Sequence, residues 1–96
     1  MFRYLTLITF TDKGATSVNE STVRAGSFGK AVQDAGGKLI SQYWALGEVD
    51  GCVVFEAPDE ETATGLLIGL AKDGNVRTRT TRVYNQSEFE AVVAKA

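Results

Sequence analysis

Three stretches of this chain, RYLTLITFT from Arg3, KLISQYWAL from Lys38 and CVVFEA from Cys52, put apolar side chains on both of the faces between which a β-strand alternates. In the first, Tyr4, Ile8 and Phe10 oppose Leu5 and Leu7. In the second, Ile40, Trp44 and Leu46 oppose Leu39, Tyr43 and Ala45. In the third, Cys52 and Val54 oppose Val53, Phe55 and Ala57. A sheet of such strands is either covered on both sides or leaves apolar side chains in water, each large one forgoing about 1.5–3 kcal/mol of burial. A chain of 96 residues has a limited core of its own, because it buries only about 60–68% of its unfolded surface.

Between these strands the pattern changes to a helical period. Ser17-Val18-Asn19-Glu20 has the form of a capping box, and from there Val18, Ala25 and Val32 recur with Phe28 and Ala35 beside them. This spacing predicts a helix that stops near Gly36-Gly37, with Asp12-Lys13-Gly14 before it as a turn. Pro58 ends the third strand and Asp59 is an N-cap with Glu60 and Glu61 in the first turn. Ala63, Leu66, Leu67, Leu70 and Ala71 then mark the most regular amphipathic helix, stopped by Lys72 and Gly74. Residues 76 to 84, VRTRTTRVY, read as a fourth strand. Ser87-Glu88-Phe89-Glu90 reads as the start of a short last helix with Phe89, Val92, Val93 and Ala96 on one stripe.

The order is therefore βαββαβ plus a terminal helix, within a single domain spanning residues 1–96. Gly47-Glu48-Val49-Asp50-Gly51 has the ordinary length of a hairpin connection, which makes the second and third strands antiparallel neighbours. The expected fold class is α+β: a ferredoxin-like four-stranded antiparallel sheet with both main helices on one face. The other face would be bare, and the economical cover is a second copy, giving a dimeric α+β barrel. A homodimer or higher homo-oligomer is expected.

Composition narrows the chemistry. The chain has no histidine and one cysteine, Cys52, which removes Ser/His/Asp and Cys/His constellations, the usual zinc sets and any intrachain disulfide. No metal and no cofactor is expected. A net charge of −2 gives no reason to expect a polyanionic partner. An RNA-recognition module shares the strand order, but Asp50 stands where its third-strand motif is basic, and no nucleic-acid partner is expected. The apolar N-terminus is too short for a membrane span, so the expectation is a cytoplasmic protein with no membrane partner.

YLTLITFTDKG, GGKLISQYWALGEVD, FEAPDEETA and GNVRTRTTR, in that order, make the chain resemble GYD-domain proteins over nearly its whole length. The glycine, tyrosine and aspartate that name the family fall on Gly47, Val49 and Asp50, so valine stands at the tyrosine position. Arg79 stands where the resemblance leads one to expect an acidic residue. The resemblance implies a ferredoxin-like, barrel-forming dimer and no particular reaction.

The site candidates are Trp44, Asp50, Glu56, Arg77 and Arg79. Asp50 is either a ligand-facing carboxylate at a barrel mouth or a turn residue bonded to nearby backbone. Glu56 is the one charge in an apolar strand, with Arg77, Arg79 and Arg82 as candidates to face it; it is either a base in a cavity or half of a structural ion pair. Trp44 and Tyr43 point to opposite faces, one of them suited to an aromatic wall. Two readings of function follow. One is a self-associating barrel that binds a small molecule between sheet and partner. The other is a cofactor-free enzyme of monooxygenase or isomerase type, with Glu56 as base, acting on a small, partly aromatic substrate.

Overall fold

The computed structural model describes all 96 residues. Strand β1 (Phe2–Phe10) leads into a short helix α1 (Asp12–Thr16), a 3₁₀ turn (Val18–Glu20) and helix α2 (Ser21–Asp34). Strands β2 (Lys38–Trp44) and β3 (Gly51–Ala57), helix α3 (Glu60–Lys72), strand β4 (Val76–Val83) and helix α4 (Gln86–Val93) follow. The sheet is four-stranded in the order β2-β3-β1-β4, every neighbouring pair antiparallel. This is the α+β, ferredoxin-like arrangement expected from the element order.

The main helices pack on the face that carries Tyr4, Val53, Phe55 and Ala57, where Phe28 and Val32 of α2 and Ala63 of α3 complete the core. Phe55 is its centre: the Tyr4 ring stacks on it and Phe28 meets it edge-on, both with centroids 5.5 Å apart. These are the favoured geometries for aromatic pairs. Thr6 is fully buried on the same face and satisfies its hydroxyl by a 2.8 Å hydrogen bond to Thr80, its register partner on β4.

Local signals set most of the boundaries. Asp59 caps α3 by accepting the Thr62 N–H at 2.8 Å. Helix α2 ends in paired bonds from Gly36 N to the Gln33 carbonyl and from Gly37 N to the Val32 carbonyl, with Gly36 at φ +83°, a Schellman stop that favours glycine.

Three expectations are corrected. Ser17 does not cap a long helix: its hydroxyl donates to the Lys13 carbonyl, closing α1, and α2 begins only at Ser21. Thr11 caps α1 instead, and Gly14 lies so close to β4 that a Cβ there would run into the Asn75 carbonyl. The last helix starts at Gln86, one residue before Ser87, on a full capping box of Asn85 and Glu88. Strand β2 does not alternate throughout. Its register slips between Leu39 and Ser41, making Ile40 the extra residue of a β-bulge. The slip keeps Leu39 on the helix side, opposite Phe55, and brings Trp44 to that same side, while Tyr43 pairs with Cys52 on the other.

Candidate functional site

Strand register divides the candidates between two surfaces. Glu56 pairs with Arg3, Arg77 with Thr9 and Arg79 with Leu7, all on the sheet face that no helix covers. Trp44 and Asp50 lie at the opposite surface, lining a cleft between α2 and α3. The structure therefore does not bring the five together.

The open face carries Leu5 and Leu7 of β1, Tyr43 of β2, and Cys52 and Val54 of β3. Tyr43 is 64% exposed. Arg77 and Arg79 flank this area on the edge strand, both exposed and neither in an ion pair. Glu56 is not matched with either of them or with Arg82. Its partner is Arg3, whose Nη2 donates to Glu56 Oε2 at 2.8 Å and whose Nη1 donates to Glu88 Oε1 at 2.7 Å. One guanidinium thus ties β1, β3 and the start of α4 together with two charge-assisted bonds. The Glu88 carboxyl is held below the ordinary glutamate range, first by the Asn85 backbone N–H and then, against partial burial, by Arg3. Arg82 points the other way, stacked over the rings of Tyr84 at 4.3 Å and Phe2 at 5.0 Å.

The cleft runs the length of both helices, from Ser21 to Ala35 along α2 and from Thr62 to Asp73 along α3, with a volume of about 610 Å3. Ile8, Phe28, Leu66 and Leu70 form apolar walls. Gly65 and Gly69 lie along the α3 side, and a Cβ at either would have nothing within 4 Å. Polar groups gather where the start of α2 meets the end of α3. Trp44 Nε1 donates to Ser21 Oγ at 3.2 Å. Asp50 Oδ2 accepts the Phe10 N–H at 2.7 Å, and the Asp50 N–H bonds the Ile8 carbonyl at 2.8 Å, so this carboxylate clamps the loop to the end of β1. Arg24, which sequence reasoning did not single out, also lines this end. Its Nη1 donates to the Ser17 carbonyl at 2.9 Å and its Nη2 to the Gly14 carbonyl at 3.4 Å, and no carboxylate lies within ion-pair distance. Nothing in the local pattern sets Arg24 apart, because its setting depends on how α1 folds back.

No group of three His, Cys, Asp or Glu side chains comes together that could hold a metal ion. No helix is long and apolar enough to cross a membrane.

The model of the GYD domain matches residues 4–93. The chain belongs to the GYD domain family. A protein of Thermus thermophilus described as "Glutamine synthetase and cystathionine beta-lyase binding protein" is 32% identical to this GYD domain over 78 residues, covering 80% of this chain and 82% of that protein. Among solved structures, the leucine response regulatory protein of Mycobacterium tuberculosis superposes with a TM-score of 0.66 at 20% identity, over 88% of this chain and 51% of that one. The feast or famine regulatory protein of M. tuberculosis, solved with L-methionine, gives a TM-score of 0.68 at 20% identity, over 90% and 52%. This GYD domain spans about half the length of those regulators, and at such identity the likeness is one of fold.

Proposed function

We propose that this GYD domain is a non-catalytic, self-associating binding protein, in which two copies meet through the open sheet face and the assembly docks onto metabolic enzymes. The observation that carries the pairing is the open face itself: Leu5, Leu7, Tyr43, Cys52 and Val54 form an apolar area on the side away from the helices. Exposed apolar area of that kind marks an interaction surface, and a two-fold axis lets one patch cover its own copy. The stripe of α4 supplies further unburied apolar surface, with Phe89 53% exposed.

The docking role is supported by the Thermus thermophilus relative, whose description is that of a binding protein for two enzymes. A cofactor-free enzyme working from Glu56 has less support. The Glu56 carboxylate is engaged by Arg3 on the open face, and the cleft lies on the other side of the sheet.

Val54→Lys tests the pairing. It puts a charge in the middle of the open face without touching the Phe55 core, so light scattering after size exclusion should show the assembly reduced to monomers of unchanged secondary structure. An assembly of unaltered mass would mean that copies meet elsewhere.

A further inference from the structure

Strand β4 closes one edge of the sheet, bonded to β1 on one side and to no strand on the other. We propose that this edge takes an extended acidic segment of a partner protein as a fifth strand, with carboxylates two residues apart on the segment meeting Arg77 and Arg79.

The backbone offers the template. β4 pairs with β1 from Val76 to Val83 with no shift of register and no proline. None of the backbone bonds made by turns, loops and caps runs to residues 76–83, so nothing else in the chain occupies the outer edge. Bulges, prolines and covering segments are the usual means of blunting such an edge, and they are missing from this one. What remains is charge, and charge selects the occupant.

Val76–Val83 holds three arginines and no acidic residue, in a chain of net charge −2. Arg82 is already engaged, stacked over Tyr84 and Phe2 and bonded to the Val83 carbonyl at 2.5 Å. Arg77 and Arg79 stand together on the open face, both exposed, with no carboxylate within ion-pair distance. Glu56 is the only acidic residue in the four strands, and Arg3 holds it.

A second copy does not supply the missing charge. Its own β4 edge would set four unpaired arginines side by side, which like-charge repulsion opposes. Its other edge, β2, carries Lys38, no acidic residue, and the register slip between Leu39 and Ser41. An acidic segment answers both needs. Residues i and i+2 of an extended chain share a face about 6.5–7 Å apart, the spacing of Arg77 and Arg79 themselves. Main-chain bonds would give the affinity and the alternate carboxylates the selectivity. This inference rests on the docking part of the function proposed above for the nature of its partner, and not on the pairing.

Fluorescence anisotropy with a labelled, end-capped peptide of four Glu-Thr repeats is the test. Saturable binding is expected to the wild type and to Val54→Lys alike, weakened about tenfold in the double variant Arg77→Gln/Arg79→Gln. Two further peptides, N-methylated at every glutamate or at every threonine, block one or the other edge of the added strand, so one should lose binding and the other keep it. No saturable binding to the wild type would overturn the proposal, as would binding that the double variant leaves intact. Equal binding of both methylated peptides would overturn it by showing attraction of charge alone, and so would octathymidylate binding as tightly as the peptide. Binding to Val54→Lys but not to the wild type would show a second copy covering the edge, which also overturns it. The assay contains no enzyme, so it can succeed where docking onto enzymes fails, and the two readings are separable.

Discussion

Arg3 Nη1 donates to Glu88 Oε1 at 2.7 Å, so the first strand holds the start of the last helix. The same carboxylate oxygen accepts the Asn85 N–H at 2.7 Å, completing the capping box from the other side. Because Glu88 titrates below the ordinary glutamate range when folded, its contribution is present in full above the unfolded value. That contribution is lost as pH falls through the lower, folded value. Carbon NMR of the Glu88 carboxyl should give a midpoint below that of a free glutamate, with the amide signals of residues 85–93 shifting in the same step. A midpoint at or above the free value would mean that α4 is not held this way.

Phe55 stands at the centre of the core, fully buried between Tyr4 and Phe28. Phe55→Ala is expected to cost about 3–5 kcal/mol, a large part of the roughly 5–15 kcal/mol that holds a typical domain. Urea unfolding followed by circular dichroism should show the midpoint falling steeply, and a loss below about 1 kcal/mol would place the core elsewhere.

Two helical glycines should respond in opposite directions. A Cβ at Gly14 would collide with the Asn75 backbone, so Gly14→Ala must force α1 away from β4 and destabilise the protein. Gly26 on α2 is exposed with nothing near its Cβ position, and Gly26→Ala should stabilise by up to about 1 kcal/mol. Thermal unfolding of the two variants side by side checks both signs.

Strands β1 and β3, helix α3 and the strand order were legible because their signals are local: runs of β-branched and aromatic residues, Pro58 closing a strand, Asp59 capping a helix. Four features were not. Ser17 and Glu20 have the capping-box spacing, but Thr11 captures the Gly14 N–H first and starts a separate helix. The bulge at Ile40 carries no glycine or proline to announce it, and it moved half of β2 to the other face. The partner of Glu56 is set by the register of β1 against β3, which joins residues 53 apart in sequence. The cleft depends on how α2 and α3 pack together on the sheet, a tertiary arrangement that neither helix encodes alone.

Cys52 reports on the open face without any substitution, being the only cysteine and half-buried there beside Val54. If a second copy covers this face, the rate at which a thiol reagent modifies Cys52 should fall as protein concentration rises, and should be fast at every concentration in Val54→Lys. A wild-type rate independent of concentration and equal to that of the variant would show the face to be uncovered.

Sedimentation equilibrium of the unmodified protein across a wide range of concentrations tests the open-face pairing most directly. A dimer, or a multiple of dimers, that dissociates only on dilution is the predicted result. A monomer at every concentration would contradict it.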